Sequence, residues 1–339
     1  MLVATTISFL LSCILIPFVI YISKKYNFLD VPIEKHKSHS QPVPNLGGLA
    51  ISFSASLVFV IASQILFTSS KTLIAVSAVV STLIAIVILG LLDDLRPRSA
   101  KFRLLIQTAI VILGVSALNQ VTSINIQLFE TSILNQATTI FFVLSVCNFV
   151  NMFDNHDGSA SGVSLLILFF ISLIAYSNGQ RMILLLALCS CASLLAFLIW
   201  NFPPAKIYLG DSGSTFLGTV ISLLLIQLDF SYADPRVAIF IVLLILGTLE
   251  LDFSIAVISR IRRGISPMKG DQAHIAHRLK RMELAKHQVT FLIWAMTIWF
   301  LSLASILVWT TAVPTYLAVV LAGISFISLL IYFLKKADA

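Results

Sequence analysis

Uncharged apolar stretches, each about 20 residues long, recur along almost the whole chain. Because a helix rises about 1.5 Å per residue, a stretch of that length crosses the hydrocarbon core of a bilayer. Since 58% of the residues are hydrophobic and 11% are charged, the chain is also too apolar for a water-soluble globule. The sequence therefore predicts an all-α polytopic membrane protein with about eleven transmembrane helices. They are predicted at residues 2–23, 46–67, 72–92, 104–119, 138–153, 159–177, 182–201, 214–228, 236–259, 289–310 and 313–334.

The positions of lysine and arginine predict the orientation of this helix bundle. If successive spans alternate, one side of the membrane holds the segments 24–45, 93–103, 154–158, 202–213, 260–288 and 335–339. These segments contain 19 of the 22 lysines and arginines. Because cytoplasmic loops are enriched in both residues, the N-terminus is predicted to lie outside and the C-terminus in the cytoplasm. The net charge of +7 fits this orientation and an attraction to anionic lipid, and nothing in the chain suggests a nucleic-acid partner.

Four polar clusters interrupt the apolar pattern, each near the predicted cytoplasmic end of a span or in a cytoplasmic loop. Ionised carboxylates are costly near a bilayer unless they are paired or have a function. We therefore expect the loops 24–45, 93–103, 154–158, 202–213 and 260–288 to form one active site within a single domain, residues 1–339. The clusters are Asp93-Asp94, the run of Asn148, Asn151, Asp154 and Asp157, the loop Gly210-Asp211-Ser212-Gly213, and His274 with His277.

Asp93 and Asp94 end the third predicted span. Adjacent carboxylates repel each other, and a bound divalent cation would relieve the repulsion because such ions prefer hard oxygen ligands. The alternative is a solvated loop start in which both residues pair with the arginines that follow, up to Arg103.

A spacing of three residues relates the polar side chains at the end of the fifth predicted span, from Asn148 to Asp157. On a helix, this spacing would project them from one flank. Gly158 permits a turn directly afterwards. A span this apolar does not need two amides and two carboxylates for its own folding, so a functional role is favoured.

The loop around Asp211 leads into the eighth predicted span. Its two glycines permit close backbone approach, and Ser212, Ser214 and the free N–H groups of the helix start could face a phosphate. Asp211 would then hold a cation rather than the anion itself. Alternatively, the side chain of Asp211 or Ser212 caps the helix.

His274 and His277 lie in the longest inner loop, at a spacing that places both on one face of a helix. They can present donors to a pyrophosphate, and the surrounding cations would raise its local concentration. The alternative is a basic loop at the membrane surface whose charges only set the orientation of the protein in the membrane. A zinc site is disfavoured because no cysteine or third ligand is nearby.

Five ordered motifs cover almost the whole chain. They are Asp30-Val-Pro32 with Lys37, His39, Pro42-Val-Pro44 and Gly47-Gly48; Gly90-Leu-Leu-Asp93-Asp94 with Arg103 and Gln107; and the segments 148–158, 201–218 and 266–279. Together they resemble the motifs of the polyprenyl-phosphate N-acetylhexosamine-1-phosphate transferases, in glycosyl transferase family 4. This superfamily includes the phospho-N-acetylmuramoyl-pentapeptide transferase, whose consecutive histidines are absent from this chain.

The resemblance implies a phosphoryl transfer in which polyprenyl (undecaprenyl) phosphate attacks a UDP-sugar, most simply a UDP-N-acetylhexosamine. UMP leaves, and the lipid-linked sugar starts a cell-envelope glycan. A Mg²⁺ cofactor is implied, with Mn²⁺ as an alternative, because cations neutralise the reacting phosphates. The resemblance further implies a multi-pass protein of the bacterial plasma (inner) membrane, with its active site on the cytoplasmic face. It leaves open a homodimer and a covalent aspartyl-phosphate route.

The resemblance and the chemistry together assign candidate roles. The predicted metal ligands are Asp154 and Asp211, because Mg²⁺ usually takes one or two carboxylates besides phosphate oxygens. The predicted catalytic residues are Asp93, Asp94, Asp154 and Asp157. The predicted substrate-binding residues are Lys37, His39, Lys101, Arg103, Asn148, Asn151, Asn201, His274, His277 and Arg278.

The sequence departs from the family pattern at several positions. Asn155 replaces a glycine between two aspartates, Ser159 replaces a leucine, and Ala276 replaces a histidine. Asn45 and His36 each stand where arginine is usual. These changes bear on the identity of the nucleotide sugar more than on the reaction type.

The sequence leaves two other functions as alternatives. One is the muramoyl-pentapeptide transferase. The other is a cation- or proton-coupled transporter, since Glu250 and Asp252 lie deep in the ninth predicted span, where acids often serve transport. These two acids could equally pair with a cation of the inner loop or form the floor of the active site. Against a transporter, the acids crowd one membrane face and no repeated halves are evident.

Overall fold

The structure is a computed structural model that describes residues 1–30, 42–121, 131–230, 235–266, 270–310 and 312–335. Its helices are α1 (Leu2–Lys25), α2 (Gly47–Leu66), α3 (Ser70–Leu95), α4 (Ala100–Asn119), α5 (Ser132–Phe153), α6 (Ser159–Ser177), α7 (Arg181–Asn201), α8 (Gly210–Gln227), α9 (Pro235–Ile245), α10 (Gly247–Arg262), α11 (Ile275–Lys280), α12 (Lys286–Trp309) and α13 (Ala312–Lys335). Two short strands, β1 (Leu29–Asp30) and β2 (Val43–Pro44), pair antiparallel.

The predicted all-α polytopic fold is confirmed. In the part of the chain that the structure describes, nine helices are long and apolar enough to cross a membrane, and α9 with α10 would form a tenth span. The remaining predicted span corresponds to α8, which does not meet this criterion, so the described residues give nine or ten candidate spans rather than the predicted eleven. Every predicted span nevertheless coincides with a helix or with the α9–α10 pair. The orientation of the termini stays a prediction.

Helix α8 forms the centre of the bundle. Every residue from Ser212 to Gln227 is buried, and the helix packs against α2, α3, α5, α6 and α7. Glycines permit the close contacts at its first turn: a Cβ at Gly48 would lie 2.1 Å from the backbone nitrogen of Gly213, and one at Gly90 would lie 2.6 Å from the Cα of Ser212. Small residues are the usual means by which membrane helices approach closely. The start of α8 is thereby fixed against α2 and α3.

The loop before α8 is attached to the start of α2 by backbone hydrogen bonds. The N–H of Gly47 donates to the carbonyl of Tyr208 at 3.0 Å, and that of Gly48 donates to the carbonyl of Leu209 at 2.8 Å. Tyr208 in turn donates to the carbonyl of Pro44 at 2.7 Å. These bonds satisfy backbone groups that would be costly to leave unpaired in a membrane protein.

The ninth predicted span, 236–259, is not a single straight helix, so that part of the prediction is wrong. The chain bends by 73° between α9 and α10. At the break, a Cβ on Gly247 would lie 2.8 Å from the ring of Phe300, and Thr297 donates a hydrogen bond to Thr248 at 3.0 Å. Packing against α12 therefore fixes the bend. Hydropathy cannot predict it, because a contact between two helices that are distant in sequence does not affect local hydrophobicity.

Candidate active site

A cavity of about 1130 Å³ opens among the ends of α3, α4, α5, α8 and α10 and the loop that contains α11. It is larger than the roughly 300–1,000 Å³ of typical small-molecule pockets, so it has room for two substrates. Eleven of the fifteen predicted site residues line it, which brings all four polar clusters together. They are Asp93, Asp94, Arg103, Asn148, Asn151, Asp154, Asp157, Asn201, Asp211, His274 and His277.

Arg103 links the paired-aspartate cluster to the loop of Asp211. Its Nη1 lies 2.8 Å from Asp93 Oδ2 and 2.9 Å from Asp211 Oδ2. The side chain of Arg103 is 24% exposed, so its charge is only partly screened by water. Asp93 also accepts the backbone N–H of Arg98 at 2.8 Å. One guanidinium thus holds two carboxylates from different helices at the cavity wall.

Asp94 has a different role from Asp93. Its two carboxylate oxygens accept the backbone N–H groups of Asp211 at 2.8 Å and Ser212 at 3.0 Å, in the first turn of α8. The helix cap thus comes from α3, and the predicted cap by Asp211 or Ser212 itself is wrong. The prediction that these N–H groups are free to face a phosphate is wrong for the same reason. A carboxylate also suits the positive end of the helix dipole.

Asn151 completes the surroundings of Asp211. Its Nδ2 donates to Asp211 Oδ1 at 2.7 Å and to Ser214 Oγ at 2.9 Å. Asn148, one turn earlier on α5, donates to Gln107 Oε1 at 3.3 Å and to the carbonyl of Leu144 at 2.7 Å. The two amides lie on one flank of α5, as predicted, but only Asn151 binds an aspartate.

Asp154 and Asp157 lie beyond the end of α5 rather than on its flank, because the helix ends at Phe153 and Gly158 turns the chain with a φ of +72°. The Asp154 carboxyl makes no hydrogen bond within the described ranges. Burial, together with the charges of Asp211, Asp94 and Asp157, raises the pKa of Asp154 to about 8. Among the described residues of the cavity, the ionised carboxylate of Asp154 therefore has no partner.

Asp157 and Asn201 hold the surrounding loops. Asp157 pairs with Lys286 at 3.2 Å and accepts the N–H of Ala205 at 3.3 Å. Asn201 accepts from the N–H of Gly158 at 3.1 Å and from Ser161 at 2.6 Å, and its Nδ2 donates to a backbone carbonyl at 2.9 Å. Protein groups thus already bind the amide of Asn201, a predicted substrate ligand.

His156, which is not among the predicted site residues, also lines the cavity. Its Nε2 lies 3.0 Å from the carbonyl of Lys286, so this nitrogen carries the hydrogen and Nδ1 is an acceptor. Nδ1 is buried without a partner, as is the Oδ1 of Asn155. Burial and the charge of Lys280 lower the pKa of His156 to about 4, which keeps the ring neutral. In the sequence, only the position of His156 between Asp154 and Asp157 indicates that it belongs to the site.

The two predicted histidines differ in their surroundings. Nδ1 of His274 lies 2.7 Å from Asp252 Oδ2, and Nε2 lies 3.1 Å from Arg260 Nη2. Because Arg260 can only donate, Nε2 accepts and Nδ1–H donates to Asp252. Asp252 therefore pairs with His274 of the inner loop. Burial and the charge of Lys280 lower the pKa of His277 to about 4, and its ring faces the cavity without a hydrogen-bond partner in the described chain.

Four predicted substrate ligands are not among the lining residues. Lys37 and His39 lie outside the described residues. Lys101 is exposed at the start of α4 and Arg278 points to the far side of α11, so neither is part of the described cavity wall. The cavity wall also contains residues outside the predicted set, among them Tyr208, Phe253, Arg260 and Asp271.

The carboxylates of the cavity fit a cation that is bound jointly with substrate. Asp154 offers an oxygen pair without a hydrogen-bond donor in the described ranges, and each oxygen of Asp211 keeps a second lone pair. Mg²⁺ usually takes one or two carboxylates and completes its shell with phosphate and water. Within the described residues, no three or more His, Cys, Asp and Glu side chains form a complete protein metal site. The donor set therefore suits Mg²⁺ rather than structural zinc.

Comparisons with known proteins identify the family. A sequence model of glycosyl transferase family 4 matches residues 76–229. A probable undecaprenyl-phosphate N-acetylglucosaminyl 1-phosphate transferase of Bacillus subtilis is 35% identical over 295 residues, which cover 86% of this chain and 80% of that protein. The chain belongs to glycosyl transferase family 4.

Two further relatives are similar over most of their length. An undecaprenyl-phosphate alpha-N-acetylglucosaminyl 1-phosphate transferase of Thermotoga maritima is 31% identical, over 81% of this chain and 79% of that protein. A phospho-N-acetylmuramoyl-pentapeptide-transferase of Streptococcus pyogenes is 30% identical, over 67% of this chain and 72% of that protein. The predicted family is confirmed, and the protein is a multi-pass phosphosugar transferase rather than a transporter.

Proposed function

We propose that the protein transfers N-acetylglucosamine 1-phosphate from UDP-N-acetylglucosamine to undecaprenyl phosphate. A phosphate oxygen of the lipid forms a bond to the sugar-linked phosphorus, the bond from that phosphorus to the UMP oxygen breaks, and UMP leaves with the electron pair. The observation that best supports this proposal is the convergence of Asp211, Arg103 and Asn151 at a cavity large enough for both substrates. The relatives named for N-acetylglucosamine support the choice of sugar.

Some residues of the site supply charge for the reaction, and others hold neighbouring side chains in position. When bound through Asp154 and Asp211, Mg²⁺ would supply positive charge for the reacting phosphates. Arg103 fixes Asp211 and Asp93 relative to each other and adds a cation to the same wall. His277 offers a neutral ring within the cavity, while Asp252 and Arg260 lock the ring of His274. A phosphate monoester with a second pKa of about 6 is already largely ionised near neutrality, so the nucleophile does not require a general base.

The proposal also states which side of the membrane the active site faces. Lysine and arginine are concentrated in the segments around the cavity, which favours a cytoplasmic active site in a bacterial plasma membrane. A UDP-sugar made in the cytoplasm would then reach the cavity without crossing the membrane.

An assay with three donor nucleotides tests the function. Purified protein receives undecaprenyl phosphate, Mg²⁺ and either UDP-N-acetylglucosamine, UDP-N-acetylgalactosamine or UDP-MurNAc-pentapeptide, and released UMP and lipid-linked product are measured with and without EDTA. We expect lipid-dependent UMP release with UDP-N-acetylglucosamine and its loss in EDTA, with Mn²⁺ tested for restoration. If product formed only from UDP-MurNAc-pentapeptide, the proposal would be wrong and the protein would be a phospho-N-acetylmuramoyl-pentapeptide transferase. Release that EDTA does not affect would contradict the role of the metal.

His156→Leu is expected to weaken donor binding without unfolding the protein. A ligand N–H or O–H that pairs with Nδ1 would remove the cost of a buried unpaired acceptor, which is about 1–3 kcal/mol. Loss of that acceptor should raise the KM for the UDP-sugar by roughly tenfold, with a smaller change in kcat. His287→Leu makes the same change at an exposed histidine outside the described cavity wall and should leave KM unaltered. An equal KM in both variants and the wild type would show that Nδ1 does not contact the donor.

A further inference from the structure

A second, smaller cavity of about 250 Å³ lies on the far side of α11 from the catalytic cavity. We call it the arginine pocket. Its described lining shares no residue with that of the catalytic cavity. It is formed by Ser259, Arg262, Arg263, Gln272, Ala273, Arg278, Arg281 and Leu334.

Arg278 brings a buried positive charge to this pocket. Only 3% of the residue is exposed. Its guanidinium donates to the carbonyls of Ala273 and Phe333, each at 2.6 Å, and to the hydroxyl of Ser259 at 2.5 Å. All of these acceptors are neutral, and no carboxylate within the described ranges forms an ion pair with Arg278. Such a buried cation is unfavourable unless an anion compensates it.

The neighbouring arginines increase this excess of positive charge. Burial, together with the charges of Arg281 and Arg263, lowers the pKa of Arg278 to about 10. The nearby carboxylate of Asp271 pairs with both Arg260 and Arg263, so one negative charge serves two guanidiniums. Arg262 and Arg281 are exposed, and neither has an ion-pair partner in the part of the chain described.

Helix dipoles reduce this charge without cancelling it. Arg263 donates to the carbonyl of Ser259 at 3.0 Å, near the end of α10, and Arg278 donates to Phe333 in the last turns of α13. The carboxyl end of a helix carries about half a negative charge, so two ends offset only about one of the four guanidiniums. The pocket therefore retains a net positive charge that suits an anion.

The position of the pocket indicates the source of the anion. Arg262 ends α10 and Leu334 belongs to the last turn of α13, a helix apolar enough to span the membrane. The pocket thus lies at the level where headgroups meet the ends of membrane helices. In the proposed orientation this is the cytoplasmic leaflet, whose anionic lipids attract clustered arginines.

We propose that the arginine pocket binds the phosphate group of an anionic phospholipid from the cytoplasmic leaflet. The guanidiniums of Arg262 and Arg281 contact the headgroup from the exposed rim, and Arg278 supplies the buried charge beneath it. The site is independent of the transferase chemistry and rests only on the proposed orientation. Because His277 lies on α11 and His274 precedes its first residue, a lipid bound at the arginine pocket also braces these two histidines.

The test compares two pairs of charge-removing substitutions. Arg262→Gln with Arg281→Gln removes two exposed cations from the rim, while Lys24→Gln with Lys25→Gln removes two exposed cations from the same predicted membrane side at the end of α1. Phosphatidylglycerol is titrated into each protein in a neutral detergent, with phosphatidylcholine as the zwitterionic comparison. Bound lipid is counted by native mass spectrometry, and the lipid-induced rise in unfolding temperature is recorded in parallel.

We expect phosphatidylglycerol to bind the arginine variant about tenfold more weakly than the wild type, and to bind the lysine variant almost normally. Equal losses in both variants would overturn the proposal in favour of general attraction to basic residues, as would phosphatidylcholine binding as tightly as phosphatidylglycerol. Inorganic phosphate that displaces the lipid and alone raises the unfolding temperature would assign the pocket to free phosphate instead. Since no readout depends on turnover, failure of this proposal is distinguishable from failure of the proposed function.

Discussion

Asp211→Asn is expected to abolish turnover while leaving the protein folded. The substitution removes one negative charge from the wall where the cation and the reacting phosphates are proposed to meet. Asparagine keeps the size of the side chain and one acceptor oxygen, so the hydrogen bond from Asn151 at 2.7 Å has a replacement acceptor. Because charge stabilisation by a metal contributes several kcal/mol to phosphoryl transfer, UMP release should fall by roughly a thousandfold or more.

Asp229→Asn provides the control for this prediction. It makes the same chemical change just beyond the opposite end of α8, far along the helix from Asp211. Both variants should unfold at nearly the wild-type temperature, and only Asp211→Asn should be inactive. Turnover by Asp211→Asn at the wild-type rate would refute the assignment of this residue as a metal ligand.

The membrane fold could be predicted because hydropathy depends on local sequence alone. A run of apolar residues must become a helix in a bilayer, where the backbone has no other way to satisfy its hydrogen bonds. The bend between α9 and α10 could not be predicted in this way. It depends on Gly247 meeting the ring of Phe300, which belongs to another helix some fifty residues later in the sequence.

The location of the site could be predicted better than the role of each of its residues. Polar residues at the ends of apolar spans are costly, so Asp93, Asp154 and Asp211 could be expected to meet. Their partners depend on distances across the bundle. The sequence predicts that Asn201 and His274 bind substrate, yet their polar atoms already form hydrogen bonds with protein groups.

The two adjacent aspartates are the clearest case of this distinction. The sequence treats Asp93 and Asp94 alike, as members of one acidic pair. In the structure, Asp93 binds Arg103, whereas Asp94 accepts two backbone N–H groups at the start of α8. The side chain of Asp94 thus acts on the site by holding the turn that carries Asp211.

Asp94→Ala is expected to lower both stability and turnover, whereas Asp94→Asn should have a smaller effect on stability. Alanine leaves two buried N–H groups without an acceptor and removes a helix cap, which should cost about 2 kcal/mol of unfolding free energy. Asparagine keeps one acceptor oxygen and therefore one of the two bonds. Unfolding temperature in detergent and UMP release should be measured together for both variants.

The pattern of losses separates a capping role from a chemical one. If Asp94 positions Asp211, turnover should fall further in Asp94→Ala than in Asp94→Asn, in parallel with stability. If its carboxylate is instead a nucleophile or base, both variants should be equally inactive, with no matching difference in stability. Ser99→Ala supplies the control, because Ser99 caps α4 from an exposed position through a long bond of 3.4 Å to the N–H of Phe102. Loss of that weak cap should change stability little and leave turnover intact, since α4 is also held by Arg103 at the cavity wall.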